Sequence, residues 1–295
     1  MKKDHRQSTV GPWAEQKLQA LEDYLSFYTT ALKNQPFRLV YIDAFAGSPR
    51  SKVRGSGTHL EPSPFLDDME IAEAQEQFIE GSPVRALKLQ DSFSQYHFFD
   101  LDKTRAGTLD RICESNLKVE VKVGDCNPLI RDLAPSLSRR NIRGVAFLDP
   151  YGAHLEWETV KALAATQTME VIINFPVAMA INRLITRSGK IPETWSSQLD
   201  QCFGTNEWHD IAYSVETDLF GEEILTKNKN VSHLLLDFYL DRLKGIFQCV
   251  APPRLICNTR NNPLYYLIWA GPNRLGLKGA EYILKQGQKL KKSRK

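Results

Sequence analysis

The chain has 295 residues, with 38 lysines and arginines against 35 aspartates and glutamates and 42% hydrophobic residues. That composition suits one large α/β domain and is too balanced in charge to name a partner by itself. No run approaches the roughly 20 uninterrupted apolar residues of a membrane span, and the charged start Met1-Lys2-Lys3-Asp4-His5-Arg6 has no apolar segment behind it. Cys113, Cys126, Cys202, Cys249 and Cys257 are scattered without a CxxC pair, so a soluble, cytoplasmic protein without a disulfide framework or structural zinc is expected.

Leu18, Leu21, Leu25, Tyr28 and Leu32 recur at helical spacing and predict an opening amphipathic helix. The apolar run Phe37 to Ile42 reads as a buried parallel strand that ends in Asp43 and a small-residue turn, Ala44-Phe45-Ala46-Gly47-Ser48-Pro49. Residues 50–80 carry Gly55, Gly57, Pro62 and Pro64 and predict a loop-rich insertion. Ser82-Pro83 then reads as a helix N-cap followed by proline. Three further strands end in acids: Tyr96 to Phe99 at Asp100, Val119 to Val123 near Asp125, and Val145 to Leu148 at Asp149. Helical segments are expected at Thr104 to Cys113, Pro128 to Leu137 and Glu156 to Ala165. This alternation predicts βαβ units, a parallel sheet with helices on both faces, and ligands at the carboxyl ends of its strands.

A fifth strand, Val171 to Ile173, runs into Asn174-Phe175-Pro176. Residues 177–232, with Trp195, Phe203, Trp208 and Phe220, are expected to form an inserted helical cap on the one sheet domain. After a helix at His233 to Leu243, the runs Phe247 to Cys257 and Pro263 to Ala270 meet at Asn261-Asn262, a tight antiparallel connection. A mostly parallel sheet closed by an antiparallel hairpin is the Rossmann-like topology of class I methyltransferases, whereas dinucleotide-binding domains normally stay parallel.

The strand-end acids suggest how such a sheet would hold S-adenosylmethionine. Asp100, with Asp102 beyond it, is suited to ribose hydroxyls, and Asp125 to an adenine amine with Cys126 against the ring. The turn after Asp43, including Ala44, Phe45 and Gly47, would meet the methionine moiety, and Gly81-Ser82 would present helix N–H groups to its carboxylate. For each acid the alternative is to cap the following helix. No GxGxxG or GxGxG follows Asp43, which weakens a nicotinamide dinucleotide reading more than a methyl-donor reading.

The segments Tyr41-Ile42-Asp43-Ala44-Phe45-Ala46-Gly47, Gly81-Ser82-Pro83, Phe147-Leu148-Asp149-Pro150-Tyr151-Gly152, Asn174-Phe175-Pro176 and Ile181-Asn182-Arg183 occur in this order. The set resembles the three-Cys-motif partner (TcmP) family, and the resemblance runs from Leu18 to Trp269. It implies a methyltransferase fold and a three-cysteine-motif partner protein similar to radical-SAM enzymes, and leaves the substrate open. Asp149-Pro150-Tyr151 also resembles the Asp-Pro-Pro-Tyr motif of amino-group DNA and RNA methyltransferases, with Gly152 a departure from it. In that chemistry Asp149 and the Pro150 carbonyl would aim an amine's lone pair, and Tyr151 would stack on a flipped base.

Asn174, Phe175, Pro176 and Arg183 are the expected substrate contacts. Arg183, Arg187 and Lys190 with Trp195 and Trp208 would make a basic, aromatic surface for nucleic acid, or the tryptophans would simply be the core of the insert. The final segment, with Arg274, Lys278, Lys285, Lys289, Lys291, Lys292, Arg294 and Lys295 against Glu281, would either attract phosphates or be a solvated helix face. The six histidines show no metal spacing, and no metal is expected. The leading reading is a methyltransferase acting on nucleic acid, DNA or RNA. The alternatives are a catalytically silent adaptor for the three-cysteine partner and, third, a dinucleotide-dependent oxidoreductase.

Overall fold

The computed structural model describes residues 9–11, 13–53, 78–217 and 221–289. The chain starts with β1 (Thr9–Val10) and the twenty-residue helix α1 (Trp13–Leu32), whose Leu18, Leu21, Leu25 and Tyr28 are buried as their spacing requires. Strand β2 (Arg38–Asp43) follows, its last five residues buried. The insertion is more regular at its ends than expected. There β3 (Arg50–Val53) pairs antiparallel with β4 (Phe78–Glu80) and parallel with β1, while residues 54–77 lie outside the described residues.

Next come α2 (Ser82–Leu87), β5 (Gln95–Asp100), α3 (Lys103–Cys113), β6 (Val119–Val123), α4 (Cys126–Leu137), β7 (Ile142–Leu148), α5 (Trp157–Ala165) and β8 (Met169–Phe175). A π-helical turn (Val177–Ile181) and α6 (Asn182–Leu184) lead to α7 (Glu193–Phe203) and α8 (Trp208–Ala212). The cap is not wholly helical, because β9 (Tyr213–Thr217) and β10 (Glu223–Lys227) form an antiparallel hairpin within it. Val215, Glu216 and Thr217 are all exposed on this two-stranded ribbon, a pattern that does not signal a buried strand. Then α9 (Val231–Ile246), β11 (Cys249–Val250), β12 (Arg254–Cys257), β13 (Pro263–Gly271) and α10 (Arg274–Lys289) complete the described chain.

The main sheet has eight strands in the order β11-β13-β8-β7-β2-β5-β6, with β12 also paired to β13. Strands β6, β5, β2, β7 and β8 are parallel, and β13 runs antiparallel to β8, β11 and β12. Asn258 ties the β12–β13 turn by accepting from the N–H groups of Arg260 and Asn262. This is the class I methyltransferase, Rossmann-like arrangement. One face of the sheet packs on α1, α2, α3 and α10, and the other on α4, α5, α9 and the cap helices, with Leu199, Phe203 and Trp208 in the same apolar cluster as the strands. Among the described residues no helix is long and apolar enough to cross a membrane.

From β2 the chain steps outward through β5 and β6, then returns to β7 on the other side of β2. The crevice above the carboxyl ends of β2 and β7 is therefore the topological switch point, where open α/β sheets bind ligands.

Candidate active site

A cleft of about 400 Å³ opens at that switch point. Its walls come from the turn after β2 (Phe45 to Ser48), the start of α2, the loop after β7 (Asp149 to Gly152), the end of β8, the first turns of α1, and Tyr265 of β13. The turn after β2 is pinned by neighbouring strands, since Ala44 N–H donates to the Phe147 carbonyl at 3.0 Å and Ala46 N–H to the Phe99 carbonyl at 2.8 Å. Gly47 has φ +65°, a conformation L side chains rarely adopt, and a Cβ on Gly81 would lie 2.5 Å from the Ser48 carbonyl oxygen. These glycines let two backbone segments close on one another at the cleft wall.

Side-chain alternation puts Asp43, Asp149 and Asn174 on the sheet face that α1 covers, one at the end of each of three adjacent strands. Asp43 is fully buried. Its Oδ2 accepts from the Tyr41 hydroxyl at 3.2 Å, while its Oδ1 has no hydrogen-bond partner among the described residues. Burial pushes this carboxyl up to about 7, with the Asp149 charge acting in the same direction and the Ser82 and Tyr41 hydroxyls pulling it back. Asp149 accepts from Lys17 Nζ through Oδ2 at 2.5 Å and from Asn174 Nδ2 through Oδ1 at 2.6 Å. Lys17 also sits over the Tyr265 ring, 5.5 Å from its centroid. Among the described residues, two buried polar atoms on cleft-lining side chains have no hydrogen-bond partner, Asn174 Oδ1 and the Tyr265 hydroxyl. Arg85 bonds both Glu15 and Glu22 of α1, which anchors that helix against α2 beside the cleft.

Among the candidates named from sequence, Phe45, Gly47, Gly81, Ser82, Asp149, Pro150, Tyr151, Asn174 and Pro176 line this cleft. Tyr151 projects at its mouth and is 72% exposed. Ser82 is not the helix cap: Gly81 occupies that position without a side-chain bond, and Ser82 is buried. Phe175 is corrected as a substrate contact. Alternation turns it to the opposite face from Asn174, where it stacks on Tyr239 at 4.2 Å and meets Phe203 edge-on. Arg183 is exposed on α6 and does not line the cleft, and Trp208 belongs to the core, its Nε1 donating to Asp200 at 2.7 Å.

The adenosine side is arranged differently from expectation. Both oxygens of Asp100 are engaged by Arg105, at 3.0 Å to Nε and 2.9 Å to the terminal nitrogen, and Oδ1 also accepts from Asp102 N–H. Asp102 caps α3 by accepting from Thr104 and Arg105 N–H, and Asp125 caps α4 by accepting from Asn127 N–H, the role available to any strand-end acid that precedes a helix. Ala44 and Cys126 are buried in the apolar cluster on the α4 side, where desolvation raises the Cys126 thiol. None of these residues lines the cleft, whereas Arg105 does. The Gly47–Gly81 cradle thus has room for the amino-acid end of a methyl donor, Asp43 lies buried behind it without lining the cleft, and the carboxylate of Asp100 is taken by the chain's own guanidinium.

Lys17, Arg105 and Tyr265 escaped the sequence reading. Lys17 carried a signal, because it sits three residues after Ala14 and four before Leu21, on the apolar stripe of α1, where a charge needs a partner.

In sequence, no protein family and no curated protein matches the chain. In structure, it is similar to a Legionella pneumophila protein of the family DUF519, with a TM-score of 0.52 at 14% identity over 90% of this chain and 89% of that one. It is also similar to a proposed S-adenosylmethionine-dependent methyltransferase from Listeria monocytogenes, with a TM-score of 0.39 at 12% identity over 88% and 100% of the two chains. A third neighbour is the proposed methyltransferase YhhF from Escherichia coli, with a TM-score of 0.33 at 9% identity over 85% and 86%. The likeness to the DUF519 protein is one of fold.

Proposed function

We propose that the chain is an S-adenosylmethionine-dependent methyltransferase of the TcmP type that modifies an exocyclic amine of a nucleobase in DNA or RNA. The observation that carries this reading is the position of Asp149-Pro150-Tyr151. The segment leaves β7 at the switch point and shares one cleft with the turn after β2, the part that fits a methyl donor.

When bound, S-adenosylmethionine supplies an electrophilic methyl carbon on a sulfonium. The Phe45–Ser48 turn and Ser82 would hold its amino-acid end, with the buried Asp43 behind them. Oxygen acceptors at the ends of β7 and β8 take the hydrogens of the target amine and leave its lone pair free. The nitrogen forms the new N–C bond as the C–S bond breaks, that electron pair stays on sulfur, and the surplus N–H proton leaves to water at the cleft mouth. Tyr151, exposed there, supplies a stacking surface for an extruded base. Methyl positioning of this kind contributes through geometry rather than through a covalent intermediate.

A specific observation favours a second reading, the catalytically silent adaptor. The Arg105 fork on Asp100 occupies the acceptor that a ribose would need. On that reading the fold survives to bind a three-cysteine-motif partner. Incubation with methyl-labelled donor and separate fractions of cellular DNA, RNA and protein decides between them. Label in a nucleic-acid fraction, lost with Asp149→Ala, supports the enzyme. Label in none, or only in protein, removes the proposed reaction.

A further inference from the structure

The cleft holds one unpaired buried acceptor and one unpaired buried hydroxyl, and their carriers are neighbours. Asn174 of β8 lies opposite Leu267 of β13 in the antiparallel register. Tyr265, two residues before Leu267, points to the same face, so Asn174 and Tyr265 are diagonal neighbours roughly 7–8 Å apart along the backbone. Both line the cleft next to Asp149, and Asn174 Oδ1 and the Tyr265 hydroxyl have no hydrogen-bond partner among the described residues.

The orientation of the Asn174 amide is fixed by chemistry. An ionised carboxylate can only accept, so the amide must turn its NH₂ toward Asp149 Oδ1, as it does at 2.6 Å. Its oxygen is thereby kept for another donor. Lys17 holds the second oxygen of Asp149 and fixes the carboxylate in turn. Both Asp149 oxygens therefore have partners within the protein, and the open acceptor of this cluster is on Asn174. Buried polar groups are costly when unpaired, and a ligand that completes them gains what the empty site lacks.

We infer that Asn174 and Tyr265 read the target base, Asn174 Oδ1 accepting from its exocyclic amine and the Tyr265 hydroxyl donating to the adjacent ring nitrogen, with Asp149 as the positioning residue that aims Asn174. This rests on the methyltransferase reading and deepens it. An acceptor beside a donor matches an amine beside an unprotonated ring nitrogen. On the Watson–Crick edge, adenine (N6 amine, N1) and cytosine (N4 amine, N3) have that order. Uracil and thymine carry no exocyclic amine and would meet Asn174 with a carbonyl, whereas the Watson–Crick amine of guanine adjoins a ring N–H, from which the tyrosine hydroxyl would have to accept instead of donating. Read on that edge, the substrate is an adenine or cytosine base.

The test uses single-stranded oligonucleotides of one length that carry, at one position, adenine, 1-deazaadenine (no ring acceptor) or unsubstituted purine (no amine). Fluorescence anisotropy gives the affinity of the full chain for each. Wild type should prefer adenine to either analogue by roughly tenfold or more, as when a site's buried polar group loses its partner. Tyr265→Phe should erase the difference between adenine and 1-deazaadenine and keep that between adenine and purine. Asn174→Ala should do the reverse. Tyr265→Phe removes only an unpaired buried hydroxyl, so its melting temperature should hold or rise, which separates loss of reading from loss of folding. A wild type that prefers none of the three, or a Tyr265→Phe protein that still rejects 1-deazaadenine in full, overturns the assignment. Parallel assays follow labelled methyl transfer to the adenine oligonucleotide and the thermal shift given by the demethylated donor. Failure of both sinks the underlying reaction, whereas methyl transfer with unchanged discrimination sinks the inference alone.

Discussion

Lys17 and Asp149 are 132 residues apart in sequence and joined at 2.5 Å across the cleft, so the first helix is fastened to the end of β7 by an ion pair. The two side chains are only 12% and 23% exposed, and loss of one partner leaves a poorly solvated charge behind. Lys17→Met keeps most of the apolar stem and should lower unfolding free energy in urea by on the order of 2 kcal/mol. Asp149→Leu should cost a similar amount, and the double variant less than the sum. A sum that is additive within about 0.5 kcal/mol would show that the pair does not couple α1 to the sheet.

The fork between Arg105 and Asp100 makes a prediction about the cofactor. Asp100 is 4% exposed, and hydrogen bonding to it holds the Arg105 guanidinium even more firmly protonated than usual. A ribose can reach the carboxylate only if the guanidinium swings away. Arg105→Ala should therefore cost stability, because the buried carboxylate loses its counter-charge, and yet enlarge the thermal shift produced by the demethylated donor. Asp100→Asn should abolish most of that shift. If calorimetry gives Arg105→Ala and wild type equal donor affinity, Asp100 takes no part in binding and remains an internal tie.

The contrast between Asp149 and Asp100 shows what the sequence could convey. Apolar runs ending in acids located β2, β5 and β7, because burial on both faces of a sheet demands continuous hydrophobic residues, while the edge strand β6 showed only alternation and β8 ended in Asn174-Phe175. It also located the loops at the switch point, so Phe45, Asp149, Tyr151 and Asn174 were found together. What each acid does there depends on a partner elsewhere in the chain. Asp102 and Asp125 each look like a ligand acceptor and like a helix cap until the following backbone N–H groups are in view. Asn-Phe-Pro reads as one unit in sequence, yet strand alternation sends Phe175 to the opposite face from Asn174. The β9–β10 hairpin was missed because its strands are largely exposed and lack a clean apolar alternation.

Glu170 gives the fold a pH dependence that can be separated from the site. It lies beneath α1 and α10, accepting from Tyr24 at 2.5 Å, Trp269 at 3.3 Å and Asn273 at 3.2 Å. Burial pushes its carboxyl from 4.5 up to about 7 despite those three bonds, and Asp43 is raised from 3.8 to about 7. Between the unfolded and folded values the native protein holds protons that the unfolded chain has released, so stability falls as pH rises across that window and levels off above about 7. Glu170→Gln removes one of the two groups. Its stability curve should fall less steeply between pH 5 and 8, by on the order of 2–3 kcal/mol over the interval. Parallel curves for variant and wild type would mean that Glu170 titrates alike in both states.

Tyr151 separates base stacking from every structural role. It is 72% exposed, follows Pro150 and precedes Gly152 at φ +64°, and lines the mouth of the cleft. An aromatic side chain held out in water buries little on folding, so Tyr151→Ala should leave stability within about 0.5 kcal/mol of wild type. If the ring carries an extruded base, the same change removes a contact worth about 1–3 kcal/mol, an increase in oligonucleotide Kd of roughly 5- to 150-fold. Tyr151→Phe and Tyr151→Trp keep a π-face and should retain most of the affinity, whereas a role for the hydroxyl would make phenylalanine as poor as alanine. Affinity for the demethylated donor should be nearly the same in all four proteins, since the proposed seat of the donor is the turn after β2. An alanine variant that binds oligonucleotide as tightly as wild type would remove Tyr151 from the nucleic-acid site and with it the stacking step of the proposed reaction.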